Sequence, residues 1–273
     1  DKGNSWNVIS KDLSRSIDRN EFPVMGKIWG LDAVAKNKST SIYGNITYLV
    51  EGKKGQLVAG TDDGLIYITE NDGENWELIG NGTYKDVPNW VEQIELKSKK
   101  NAEFEIYPFV SGIQINTKNE IFAVLDHHRQ GIFDAFVVKY TNGKWERIGK
   151  GIPENQPAKS ILIDPIDEDI ITVGTEFGLY ISVDGGVHFH KFMKGLPPVA
   201  IKDIVYQERE DDLVLATFGR GFYIMDDYSS LRFLSPQSLK SNLVFSPRKA
   251  LQYTPERSGS SSQGSNTFYA ENP

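Results

Sequence analysis

Cysteine is absent from the 273 residues of this chain, which excludes disulfide scaffolds, cysteine-ligated zinc and cysteine nucleophiles. The compartment stays open, because exported proteins lack cysteine as readily as cytosolic ones. No apolar run approaches the roughly 18 residues of a membrane helix, and residues 1–20 are polar, without the apolar centre of a signal peptide. Excess positive charge is missing too: 30 Lys and Arg stand against 37 Asp and Glu, a net charge of -7 with a pI near 5.2. The densest basic cluster, KSKK at 97–100, reads as a solvated strand end. A nucleic-acid-binding chain concentrates a basic face, so nucleic acid is not an expected partner. The sequons at Asn37, Asn45 and Asn81 are what chance supplies in a chain rich in Asn, Ser and Thr. Finally, no segment holds a 3.6-residue apolar period long enough for a core helix.

What the chain has is a 39% hydrophobic content, enough for a packed core, cut into runs of four to seven residues. ITYLV, QLVAGT, LIYIT and WELIG follow one another between 46 and 80, and comparable sets recur to about residue 226. Gly, Asn, Asp and Pro turns separate them, which reads as an all-β chain. Many runs are apolar on both faces, as in Leu65-Ile66-Tyr67-Ile68, so both faces of these strands need cover. Four-stranded units of forty-odd residues, each packed between neighbours, describe β-propeller blades.

An internal alignment supports this. Gly60-Thr61-Asp62-Asp63-Gly64-Leu65 matches Gly174-Thr175-Glu176-Phe177-Gly178-Leu179, and Ala216-Thr217-Phe218-Gly219-Arg220-Gly221 is a third version. Each is the turn between a blade's second and third strands. A second motif follows between the third and fourth: Thr69, Asn71, Gly73 and Trp76, then Ser182, Asp184, Gly186 and Phe189. A copy beginning at its third position contributes Asp1, Gly3 and Trp6, a shortened one ends at Trp145, and a decayed one lies near Asp227. Asp or Asn holds such a turn through backbone N–H groups, Gly provides positive φ, and the aromatic ring anchors the hairpin. These roles are structural and leave no carboxylate free for catalysis.

The motif resembles the Asp-box (BNR) repeat, and the stretches GTDDGLIYITENDGENW, VGTEFGLYISVDGGVHF and ATFGRGFYIMDD resemble the sortilin-like propellers of bacterial secreted proteins over about residues 1–232. The resemblance implies a partial propeller of about four blades over 1–235. Residues 236–273, ending in the Ser/Gly-rich ERSGSSSQGSNTFYAENP, read as a tail towards a following domain. It also implies export, with remaining blades and a C-terminal domain as partners. Asp boxes occur in sialidases, other glycosidases, sortilin-like receptors and photosystem assembly factors, so they identify a fold rather than an activity.

Function is expected on the rim opposite the boxes, where blade turns gather Asp62, Asp63, Asp126, His128, Arg129, Glu176 and Arg220. Convergent carboxylates, histidine and arginine suit a peptide or a glycan, giving a non-catalytic binding scaffold. The alternative is a glycoside hydrolase using Asp62, Asp63 or Glu176, which requires two carboxylates at either about 5 Å or about 6.5–9.5 Å. A sialidase is disfavoured, since no FRIP-like segment is present. Neither a metal nor a cofactor is expected: His188 occupies a position of the box itself, zinc wants three converging ligands, and GKKG at 52–55 lacks the Gly-rich span of a phosphate loop.

Overall fold

A computed structural model describes residues 3–18, 21, 27–30, 33, 44–80, 108–128 and 132–246. Asp1, Arg129, the KSKK cluster, the sequons at Asn37 and Asn81, and residues 247–273 lie outside the described residues.

Short apolar runs, broken by Gly-containing turns, form antiparallel strands joined by tight connections. Blade 1 holds β1 (Ile46–Glu51), β2 (Leu57–Thr61), β3 (Ile66–Thr69) and β4 (Glu77–Gly80). Blade 2 holds β5 (Phe109–Ile115), β6 (Ile121–Asp126), β7 (Phe136–Thr141) and β8 (Lys144–Ile148). Blade 3 holds β9 (Ala158–Ile163), β10 (Ile170–Thr175), β11 (Gly178–Val183) and β12 (His190–Phe192). Among the described residues blade 4 has three strands, β13 (Ile201–Gln207), β14 (Asp212–Thr217) and β15 (Phe222–Met225). Each sheet follows sequence order, and the four are arranged as a four-bladed β-propeller with β1, β5, β9 and β13 as neighbouring inner strands.

The two-sided strands explain the stacking. All six residues of β6 are buried. Ile121, Ala123 and Leu125 enter one core with Val58, Ile66 and Ile68 of blade 1. Phe122 and Val124 enter the next with Ile171, Val173 and Tyr180 of blade 3. A third core joins Ile170, Leu179 and Ile181 to Ile204, Leu213 and Leu215 of blade 4. Hydroxyls pin the junctions as well: Thr47 donates to the Val110 carbonyl at 2.8 Å, Ser111 to Ala158 at 3.1 Å and Ser160 to Ile201 at 3.1 Å.

After β15 a 3-10 helix spans Tyr228–Phe233, with a second short one at Ser238–Lys240. Arg232 ties the first to the propeller, donating from Nη2 to Asp164 at 2.9 Å and from Nη1 to Asp211 at 2.7 Å. The Tyr228 hydroxyl also donates to Asp164. Among the described residues no helix is long and apolar enough to cross a membrane.

Candidate functional site

Strand register fixes which side chains share the rim. In each blade the first residues of the inner strand pair with the last of the second strand, followed by an irregularity at Thr47, Ser111, Lys159 or Lys202. The residue that follows the second-strand partner of Ile46, Val110, Ala158 or Ile201 is Asp62 in blade 1, Asp126 in blade 2, Glu176 in blade 3 and Phe218 in blade 4. Three equivalent positions out of four are therefore acidic.

Blades 2 and 3 bring their acids together through a lysine that no sequence motif singles out. Lys159 enters at the start of β9 with its side chain 5% exposed, and its Nζ lies 2.6 Å from Asp126 Oδ2 and 3.2 Å from Glu176 Oε2. His128 joins the group: its backbone N–H donates to Asp126 Oδ1 at 3.1 Å, its Nδ1 lies 2.7 Å from the same oxygen, and Lys159 Nζ stands 3.5 Å away. A buried ammonium needs such partners, because an uncompensated charge loses its hydration. Burial pushes the Asp126 carboxyl up, but the hydrogen bonds from Lys159 and His128 outweigh it and hold the group below the ordinary carboxylate range. Next to it, burial lowers the His127 imidazole from 6.5 to about 4, against the pull of Asp126, so it is neutral at pH 7. Two aromatic rings flank the cluster in sequence, with Phe177 47% and Phe133 46% exposed.

The other expected site residues stand apart from this cluster. Asp62 is buried and accepts from the backbone of Gly44 at 2.8 Å and Asn45 at 3.0 Å, and from Asn45 Nδ2 at 2.8 Å. Asp63, fully buried, accepts from the Arg15 backbone at 2.7 Å and from the Thr61 hydroxyl. Both carboxylates thus hold chain segments in place. Arg220 is exposed on the β14–β15 turn. The one cue to Lys159 in the sequence is a charged residue opening an otherwise apolar strand, AKSILID, which is also what a solvated strand end gives.

On the opposite rim the two long turn motifs share one network. Gly73 N–H donates to Thr69 Oγ1 at 3.1 Å and Asn75 N–H to Asn71 Oδ1 at 3.0 Å. Gly186 N–H donates to Ser182 Oγ at 2.9 Å and His188 N–H to Asp184 Oδ1 at 2.9 Å. Among the described residues no group of three or more His, Asp or Glu is gathered to hold a metal ion.

No family model matches the chain, and no curated protein does. Among solved structures it is similar to the GH74 xyloglucanase from Xanthomonas campestris, at 15% identity and a TM-score of 0.46 over 67% of this chain and 27% of that one. It is similar to the extracellular domain of BT4673 from B. thetaiotaomicron, at 14% identity and a TM-score of 0.45 over 66% of this chain and 21% of that one. YCF48 from Cyanidioschyzon merolae follows at 15% identity and a TM-score of 0.42, over 66% and 55%. The chain thus spans about a fifth to a half of these structures.

Proposed function

We propose that this chain is a non-catalytic binding scaffold of an exported protein, built from Asp-box repeats, whose rim at blades 2 and 3 takes a peptide or a glycan. One observation carries the reading. The two rim carboxylates that come together, Asp126 and Glu176, do so on a single buried ammonium. Glycoside hydrolysis needs one carboxyl to keep its proton near neutral pH, and a lysine bridge favours ionisation instead. Asp126 is held low for that reason. A cluster of two carboxylates on one ammonium, with the exposed Phe177 and Phe133 close to it in sequence, suits recognition of a ligand offering both polar groups and an apolar face.

The hydrolase reading retains one geometric point: both carboxylates approach one nitrogen, a separation compatible with the roughly 5 Å of retaining enzymes. A glycan array and a peptide library, screened with wild type and with Glu176→Ala and Phe177→Ala, test the proposal. Retention of a ligand by wild type and at least tenfold weaker binding by either variant is expected. Equal binding by all three proteins would move the site off this rim.

A further inference from the structure

Asparagine or aspartate before glycine is the sequence at which a chain rearranges its own backbone. The backbone nitrogen of the glycine attacks the side-chain carbonyl carbon of the residue before it, and without a Cβ the glycine leaves that nitrogen unobstructed. Four such pairs lie among the described residues: Asp63-Gly64, Asp72-Gly73, Asn142-Gly143 and Asp184-Gly185. Each sits in a turn between consecutive strands of a blade. Their surroundings differ.

In the three Asp-Gly pairs the attacking nitrogen is occupied. Gly64 N–H donates to the Thr61 carbonyl at 3.3 Å, Gly73 N–H to Thr69 Oγ1 at 3.1 Å and Gly185 N–H to the Asp169 carbonyl at 2.9 Å. Two of the carboxylates are held as well: Asp63 accepts from the Arg15 N–H at 2.7 Å, and Asp184 Oδ1 from the Ser182 hydroxyl at 2.7 Å and the His188 N–H at 2.9 Å. An ionised carboxylate is also a poorer electrophile than an amide. Asn142-Gly143 has none of this protection. It is the two-residue turn of the β7–β8 hairpin, closed by the Thr141–Lys144 pair, with φ of +50° and +76° as a type I′ turn requires. No hydroxyl holds its glycine N–H as Thr69 and Ser182 hold those of Gly73 and Gly186. Among the described residues no hydrogen bond engages the Gly143 N–H or the Asn142 amide. Both residues are exposed, and a methyl group on Gly143 would meet nothing within 4 Å.

We propose that Asn142 is a site of spontaneous conversion to isoaspartate, and that this conversion loosens the junction of blades 1 and 2. The Gly143 nitrogen loses its proton to base and attacks the Asn142 side-chain carbonyl carbon. The new C–N bond closes a succinimide ring as the side-chain nitrogen leaves as ammonia. Water then opens either ring carbonyl, giving isoaspartate or aspartate, so the net change is one water in and one ammonia out. Isoaspartate routes the main chain through the side-chain carbon and adds one backbone atom to a two-residue turn, whose length fixes the register of its strands. In that register Tyr140 faces Trp145 with ring centroids 5.0 Å apart, and Trp145 Nε1 donates to the Ile79 carbonyl of blade 1 at 2.6 Å. Trp145 is buried in the core that the two blades share. A lengthened turn therefore acts on the anchor between them, three residues away.

The test ages the folded chain at neutral and mildly alkaline pH and maps its peptides at intervals, reading isoaspartate with an isoaspartyl methyltransferase. A free peptide of residues 139–146, aged alongside, gives the rate of the unfolded sequence. Isoaspartate is expected at position 142 at least tenfold faster than at 63, 72 or 184, and faster as pH rises. The aged chain is expected to melt below the fresh one. Asn142→Gln, whose longer side chain disfavours ring closure, is expected to hold its own melting temperature through ageing. Asn142→Asp carries the new charge without the extra backbone atom and is expected to melt with the fresh chain. Three results would overturn the proposal: an Asn142 still intact once the free peptide has converted, isoaspartate at 72 or 184 ahead of 142, or a converted chain that melts with the fresh one.

Discussion

At the residue scale, Lys159 and Asp126 decide what the rim does, because each is charged and each is nearly sealed from water. Removing one partner of a buried pair strands the other, at about 3–5 kcal/mol. Lys159→Met is therefore expected to lower the unfolding free energy, measured by urea titration, by that amount. Adding Asp126→Leu should return much of the loss, and a double-mutant cycle reads the coupling. His127 gives a second, separable signal. Its folded pKa of about 4 lies below the ordinary 6.5, so between those values the unfolded chain binds a proton that the folded chain refuses. Stability is then fully present above pH 6.5 and lost as pH falls towards 4, by on the order of 3 kcal/mol. Thermal melts across that window should show the decline, and His127→Gln should flatten it. Asp126 adds a loss at lower pH, as its own depressed pKa is reached. Of the cluster, Asp126, His128 and Glu176 are legible in the sequence as candidate site residues. Lys159 is not, because burial between two blades is a property of their stacking and not of any local pattern.

At the element scale, the turns of β3–β4 and β11–β12 carry a hydroxyl, an Asx side chain and a glycine in one fixed relation. Gly73 and Gly186 sit at φ of +92° and +89°, backbone that L side chains rarely adopt. Gly186→Ala would also press a methyl group into Ile148. A loss of about 1–3 kcal/mol is expected from strain of this kind, against about 1 kcal/mol for Asp184→Ala, which removes hydrogen bonds alone; chemical denaturation of both variants checks the order. The strands and their turns are readable because short apolar runs and Gly-rich corners are local signals. The 3-10 helix at Tyr228–Phe233 is not. It is held by Arg232, whose charged form Asp164 and Asp211 favour despite burial, and by Tyr228, whose hydroxyl burial and Asp164 push well above its ordinary range. These contacts reach back more than sixty residues to Asp164. Arg232→Leu should leave Asp164 uncompensated, and faster amide exchange in β13–β15 would report the loosened blade.

At the scale of the whole molecule, strands apolar on both faces require blades on both sides, and runs such as Leu65-Ile66-Tyr67-Ile68 carry that requirement in the sequence itself. No such pattern distinguishes the equivalent rim positions Asp62, Asp126 and Glu176, which meet different fates. Asp62 is bound by backbone donors of its own blade, while Asp126 and Glu176 are joined across a junction by Lys159. A propeller supplies rigid, equivalent positions, and the residues placed there set the chemistry. The claim that this rim binds and does not cleave is tested most directly by incubating the chain with a glycan panel and a peptide library, then analysing both what is retained and what is produced. Retained ligand recovered intact, with retention lost in Glu176→Ala, is the expected result. Glycosidic cleavage abolished by Asp126→Asn or Glu176→Gln would contradict it.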